Sequence, residues 1–328
     1  MSTMTSLPGG RETAPGEGGR RTRDHARRSN TASPRRRGFG QGLPWLLMVP
    51  ALVVLLLMTI FPAAYLLWAS LHGGTLLGGN GQFVGLQNYV DVLTSVDRLK
   101  GFALILVFVV VAVSIQTALG LALAVPLSAQ TRSSNIATTI ALVPFAVTPV
   151  VSALVFRELF NPNYGWVGYF MGLVGLPDDI AWLSSTPLAW VLLIGIDVWQ
   201  WTPFVALILM AGLKSVPQEP VEAAAIDGAS GWQIFRYVKL PMILPFMAIA
   251  VVLRTIQAFK TFDSFKVLTN GGPGTSTEII NLEIYRVALQ SFRIGAASAI
   301  AIVFLILLLT LVPLLLRAVG RGTDEEGV

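Results

Sequence analysis

The chain has 328 residues, of which 54% are hydrophobic and only 12% are charged. Its mean hydropathy is +0.68. Soluble domains carry about 25% charged residues, so this composition indicates that much of the surface faces lipid. Because the chain has no Cys and only two His, His25 and His72, disulfides, thiol nucleophiles and sites built from Cys or His are excluded.

The positive charge is concentrated at the start of the chain. Residues 1–44 contain nine Arg and three acidic residues, a net +6, so the remaining residues sum to −1 within the total of +5. The basic character therefore belongs to a tail and gives no support for a nucleic-acid partner. This segment is rich in Gly, Ser, Thr, Pro and Arg and cannot bury enough apolar surface to fold, so we predict a disordered cytoplasmic tail.

Six segments are long and apolar enough to cross a bilayer, which takes about 20 helical residues. They run near 45–71, 102–128, 135–158, 187–213, 241–262 and 296–316. Prolines lie in or near several of them and predict kinks, which neighbouring helices can tolerate by satisfying the freed carbonyls. The predicted fold is all-α: a polytopic membrane domain of six transmembrane helices over 45–316, followed by a short cytoplasmic tail, 317–328.

The basic residues predict the orientation. With the N-terminus inside, the inner segments hold fifteen Lys and Arg and the outer segments hold five. By the positive-inside rule, both termini lie in the cytoplasm and the chain resides in the cell membrane, whether inner or plasma membrane. The outer stretches 84–93 and 161–177 have the spacing or the aromatic content of short interfacial helices.

The stretch "EAAAIDGASGWQIFRYVKLP", residues 222–241, is unusually polar for a connection between two spans. Within the loop 215–241, a short helix is expected through about 220–227. Gly228 is placed to end it in a left-handed conformation. The pattern predicts a helix–Gly–helix unit in the cytoplasm, and its simplest alternative is an amphipathic linker at the membrane surface.

Three local signals set the predicted ends of these helices. Ser215 with Gln218 and Ser230 with Gln233 each have the spacing of a capping box, which opens a helix. Pro241 is expected to close the unit and to begin the next span. The unit is therefore predicted as two separate short helices followed by the fifth span.

This stretch resembles the EAA loop of the integral-membrane subunits of ATP-binding-cassette (ABC) importers. Glu-Ala-Ala at 222–224 is followed by Gly228, and Val-Lys-Leu-Pro at 238–241 arrives after nine more residues, with Val in place of the family's Ile. The segments 199–217 and 253–278 are similar to maltose-type sugar-importer permeases, and the likeness covers roughly 45–316. The resemblance implies that the first short helix docks on an ATPase subunit. The residues it assigns to this coupling are Glu222, Ala223, Ala224, Asp227, Gly228 and Ala229.

The resemblance also implies a function. The chain is identified as the permease subunit of an ATP-driven importer that forms half of a translocation pathway, by alternating access, for a disaccharide or oligosaccharide. The expected partners are a second homologous permease subunit in a heterodimer, two ABC ATPase subunits and an extracytoplasmic solute-binding protein. ATP and Mg would be bound by those ATPase subunits, so the chain itself is expected to have no cofactor, no metal and no enzymatic activity.

Polar residues inside the spans are the candidates for contact with the solute. Asp197 and Arg254 are predicted near the middle of the fourth and fifth spans, where an ionisable group is costly and should face protein or water. Helical spacing adds further polar and aromatic groups to their faces. The candidate pathway residues are Asp197, Gln200, Trp201, Arg254, Gln257 and Thr261. The alternative is that Asp197 and Arg254 pair with each other and only hold two helices together.

Other functional classes remain open at this point. Arg254 and Lys260 would also suit an anion, so an importer of a non-sugar solute such as glycerol-3-phosphate is an alternative. A secondary transporter coupled to an ion gradient is another. An intramembrane enzyme is disfavoured because the predicted spans offer no His and no pair of carboxylates, and no phosphate-binding loop occurs in the sequence.

Overall fold

A computed structural model describes residues 42–75, 78–129 and 131–324. The predicted N-terminal tail therefore lies outside the described residues, except for 42–44, which are helical. The described residues fall into two compact units, one ending at Leu56 and the other beginning at Leu57. The boundary lies within the first helix, and the contacts described below are all within the second unit.

The chain is helical almost throughout. The first seven helices and one hairpin are α1 Gly42–Ser70, β1 His72–Thr75, β2 Gly78–Phe83, α2 Gln87–Thr94, α3 Val96–Leu127, α4 Arg132–Ala141, α5 Val143–Ala146, α6 Pro149–Leu159 and α7 Trp166–Leu173. The remaining helices are α8 Thr186–Ser215, α9 Gln218–Ile226, α10 Gly231–Ile234, α11 Leu240–Phe259, α12 Asp263–Leu268, α13 Ile280–Tyr285 and α14 Ile294–Asp324. Two π-helical segments, Phe235–Lys239 and Arg286–Gln290, precede α11 and follow α13.

The predicted all-α membrane fold is confirmed. Among the described residues, five helices are long and apolar enough to span a bilayer, and a bent pair makes up to six. The long helices also carry large apolar side chains that are exposed, as expected for a surface in contact with lipid. Examples are Val107, Val110, Val191, Leu305 and Leu309.

The third predicted span, 135–158, is the one that differs from a single crossing helix. It is broken between Ala146 and Pro149, and its two arms meet at 91°. Elsewhere the helices continue through prolines, as α8 does at Pro203 and α11 at Pro245. The presence of proline therefore does not by itself explain the break.

Two smaller features were not predicted. The segment after α1 forms an antiparallel hairpin, in which His72 pairs with Phe83, although its glycine-rich sequence has low strand propensity. The last helix extends to Asp324, so the predicted tail 317–328 is helical through most of its length.

The centre of the fold lies where α3, α8 and α11 pack together. Buried side chains such as Phe108, Leu193, Ile196 and Phe259 form its core with residues of the shorter helices. At Gly120 the backbones of α3 and α8 approach so closely that a Cβ atom would lie 2.7 Å from Cγ1 of Val205. Small residues permit this kind of close helix packing in membranes.

We expect Gly120→Leu to destabilise the bundle by about 1–3 kcal/mol, the usual consequence of overpacking a core. The same change at Gly195, on an exposed part of α8 with no atom within 4 Å of its missing Cβ, serves as the control. Thermal unfolding of the detergent-solubilised protein would measure both variants. Equal unfolding temperatures for the two variants would contradict the tight α3–α8 contact.

The ends of the bundle differ in character. At one end, called the α12 end, the Asn281 side-chain amide donates to the carbonyls of Phe259 and Thr261 at 2.8 and 2.7 Å, and so caps α11. Nearby, Arg98 pairs with Glu283 at 3.1 Å. Burial raises the pKa of Glu283, and Arg98 opposes that shift. The other end, called the α9 end, carries the connection between α8 and α11.

Candidate functional site

The connection at the α9 end is an exposed helical unit. α9, Gln218–Ile226, buries none of its residues, and Ile226 at its last position is 86% exposed. Gly228 follows with φ +81°, in the left-handed region that favours glycine. The amide of Ala229 donates to the carbonyl of Ala224 at 3.0 Å and closes the helix end. This is the pattern of a helix that ends at a left-handed glycine.

The six residues to which the family resemblance assigns a coupling role lie close together on this unit. Glu222, Ala223, Asp227 and Gly228 are exposed, and Ala224 and Ala229 are half-buried. With Glu219 in the first turn, the surface of the unit is acidic and is built on small side chains. Such a surface can approach a basic, concave partner closely.

One of the two predicted helix caps is present. Ser230 and Gln233 form a reciprocal capping box at the start of α10. The cap predicted from Ser215 and Gln218 is wrong: α8 extends to Ser215, whose hydroxyl donates to the carbonyl of Gly212 at 2.8 Å. The first residue before α9 is Pro217, which offers no side-chain cap.

The second short helix was predicted to end before the fifth span, but the structure shows that it continues into that span. Gly231–Phe259 forms one continuous membrane helix of 29 residues. The π-helical segment Phe235–Lys239 lies just before Pro241, where the missing N–H of proline would otherwise disturb the hydrogen-bond ladder. α10 and α11 are therefore parts of one rod.

A second candidate site is a polar network in the middle of the bundle. Arg254 on α11 and Asp197 on α8 form an ion pair. Gln116 on α3 joins both: its amide donates to the Asp197 carboxylate at 2.8 Å and to the Asp197 carbonyl at 3.0 Å, and its oxygen accepts from Nε of Arg254 at 2.6 Å. Gln116 is 0% exposed and Arg254 is 1% exposed. The network thus connects three helices and neutralises its own charges.

Trp201 extends this network on α8. The guanidinium of Arg254 lies 4.9 Å from the centre of its ring, within cation–π range. Its ring also meets Phe145 of α5 edge-to-face at 5.5 Å. Arg254 therefore contacts a carboxylate, an amide and an aromatic face, which are the groups a buried guanidinium requires.

The other three candidate pathway residues do not join this network. Gln200 is buried and points to a different neighbour, the carbonyl of Val147, to which it donates at 2.6 Å. Gln257 is half-buried on α11. Thr261 was predicted to share the helical face of Arg254, but α11 ends at Phe259, so Thr261 lies beyond the helix.

Gln116 is the member of the network that the sequence reasoning missed. It lies within the strongly apolar span α3. A lone amide within such a span was the available signal, since a polar group inside a bilayer needs a partner.

Comparison with known proteins shows which family and which solved fold this chain resembles. Residues 116–325 match the family described as "Binding-protein-dependent transport system inner membrane component". The chain is 36% identical to the trehalose/maltose transport system permease protein MalF of Thermococcus litoralis, over 85% of this chain and 94% of that protein. It is 31% identical to the sn-glycerol-3-phosphate transport system permease protein UgpA of Pectobacterium atrosepticum, over 87% and 96% of the two chains.

A solved structure shares the fold. A chain of the bacterial alginate ABC transporter, crystallised in complex with alginate pentasaccharide-bound periplasmic protein, superposes with a TM-score of 0.76. The alignment covers 86% of this chain and 95% of that one at 22% identity. The arrangement of helices described above is therefore that of a known transporter chain.

Proposed function

Because the chain belongs to the family of binding-protein-dependent transport system inner membrane components, we propose that it is the permease subunit of an ABC importer for a carbohydrate. It would form half of a translocation pathway with a second, homologous permease subunit. A solute-binding protein would deliver the sugar, and two ATPase subunits would bind ATP and Mg and drive alternating access. Both termini and α9 would then lie in the cytoplasm.

The exposed α9–Gly228–α10 unit supports this assignment of roles. It is the part of the bundle where an acidic helix with small side chains stands free of the remaining packing. Its second helix, from Gly231, is continuous with α11, a membrane-spanning helix, and only the turn at Gly228 separates α9 from it. A protein that binds α9 would therefore be linked to a membrane-spanning helix through one short turn.

The pairing of Arg254 is the observation that favours a sugar over an anionic solute. Relatives include permeases named for trehalose/maltose and for sn-glycerol-3-phosphate, and an unpaired arginine in the spans would suit the phosphate. Arg254 is instead buried against Asp197, so its charge is already balanced. Lys260 is exposed at the end of α11 and remains the candidate cation if the solute is glycerol-3-phosphate.

Uptake by the complete transporter in proteoliposomes tests this function. We expect internal ATP together with the binding protein to drive uptake of a labelled disaccharide or oligosaccharide, and a protonophore to leave uptake unchanged. Trehalose, maltose and glycerol-3-phosphate should be compared with the same preparation. Uptake that needs no ATP and that stops when the ion gradient collapses would identify a secondary transporter instead. Uptake of glycerol-3-phosphate and of neither sugar would refute the proposal that the solute is a carbohydrate.

A further inference from the structure

The break in the third span exposes a backbone carbonyl that needs a partner. Val147 and Thr148 between α5 and α6 are extended, with ψ of 137° and 144°. Pro149 begins α6 and has no N–H to donate. The Val147 carbonyl lies outside the regular helical ladder, where an unsatisfied group within a bilayer would be costly. The side chain of Gln200 donates to it at 2.6 Å.

The residues on either side of Gln200 contact the two arms of the bend. The ring of Trp199 lies 5.2 Å from that of Phe156 on α6, and the ring of Trp201 lies 5.5 Å from that of Phe145 on α5. Three consecutive residues of α8 therefore contact the third span: Trp199 contacts the α6 arm, Gln200 the break, and Trp201 the α5 arm. We refer to Trp199–Trp201 as the α8 cradle.

The cradle is also linked to the helix that begins at the α9 end. Trp201 also contacts the guanidinium of Arg254, and Arg254 belongs to the continuous helix Gly231–Phe259. A shift of that helix would change the position of Arg254 beneath Trp201. The contacts thus run from α11 through Trp201 to α5.

We propose that the α8 cradle sets the bend of the third span, and that α11 alters this bend through Arg254 and Trp201 during transport. Gln200 and Trp201 are then positioning residues that hold the span, and they do not act by contact with the solute. The part of this inference that concerns transport rests on the proposed function. The hold of the cradle on the bend is a property of this chain and can be measured separately.

The distance between two spin labels, one on each arm, measures the bend. Ile140 on α4 and Leu154 on α6 are exposed, and because the chain has no Cys, Ile140→Cys and Leu154→Cys give unique labelling sites on it. The assembled transporter in lipid would be measured with and without a non-hydrolysable ATP analogue. We expect Gln200→Met, which keeps the length of the side chain but removes the donor, to increase the fraction of longer, straighter distances about 2- to 10-fold, as expected for the loss of one hydrogen bond.

Thr202→Val is the matched control. The Thr202 side chain is buried two residues further along α8, and its hydroxyl donates within the helix to the carbonyl of Val198 at 2.6 Å. Thr202→Val should leave the distances between the two spin labels unchanged. Trp201→Ala should repeat the effect of Gln200→Met, and Trp201→Phe should restore the original distances because the ring against Phe145 remains.

Unchanged distances in Gln200→Met and Trp201→Ala, with and without the nucleotide, would overturn the proposal. If the KM for uptake also rose in Gln200→Met, that result would place Gln200 in contact with the solute instead. Failure of the proposed function would look different: the parent transporter would show no uptake that depends on ATP and the binding protein, while the effect of Gln200→Met on the distances would remain.

Discussion

Gly228→Pro is expected to reduce uptake by at least about tenfold while the chain remains folded in the membrane, since a misplaced proline costs about 3 kcal/mol. Gly228 has φ +81°, which proline cannot adopt, and its amide donates to the carbonyl of Ala225 at 3.1 Å. Both the turn and the hydrogen bond would be lost, so α9 would end in a different direction. Uptake in proteoliposomes and co-purification of the ATPase subunits would measure the change.

Gly231→Pro is the matched control for this substitution. Gly231 is the first residue of α10 and follows Ser230, whose backbone is extended. Proline is favoured at the first position of a helix and after an extended residue, so uptake should be retained. Glu222→Lys, which reverses an exposed charge on α9, should reproduce the loss. Normal uptake in both Gly228→Pro and Glu222→Lys would rule out α9 as the site of coupling.

Asp197→Leu is expected to destabilise the protein by about 3–5 kcal/mol, the usual result of removing one partner of a buried ion pair. Arg254 is almost completely buried, so its charge would be left with the amide of Gln116 and the ring of Trp201 and without a counter-ion. Thermal unfolding of the solubilised chain, followed by the fluorescence of its Trp residues, would measure the effect.

The double variant Asp197→Leu with Arg254→Met should recover most of this stability, because it removes both charges and keeps similar volumes. We also expect it to retain uptake, since the two groups face each other. A double variant as unstable as Asp197→Leu alone would show that the unpaired charge is not the cause. Recovered stability without uptake would indicate that Asp197 and Arg254 contact the solute.

The spans could be predicted from the sequence because hydropathy over some twenty residues is a strong signal, and the five long helices lie where it was found. The break at Val147 could not be predicted in the same way. Prolines occur in or near most of the spans, and α8 and α11 continue through Pro203 and Pro245. What distinguishes the third span is the contact of its break with Gln200, which lies fifty-three residues away in the sequence.

The exposed unit was more predictable than the buried network. The left-handed Gly228 and the capping box of Ser230 depend on residues a few positions apart, so local patterns identify them. The network depends on which faces of three helices meet. The pairing of Asp197 with Arg254 was anticipated as an alternative, but the contribution of Gln116 follows only from the packing of α3 against α8 and α11.

The uninterrupted helix Gly231–Phe259 has a mechanical consequence. At 1.5 Å per residue, its 29 residues extend for about 43 Å, and Asn281 fastens the far end to the segment that follows α12. The helix stays continuous through the π-helical segment Phe235–Lys239 and through Pro245, so an axial displacement at Gly231 would be passed along it. A displacement of a few Å beside α9 would therefore be passed to the α12 end of the same helix, so that events at the two ends of the bundle can be coordinated through a single helix.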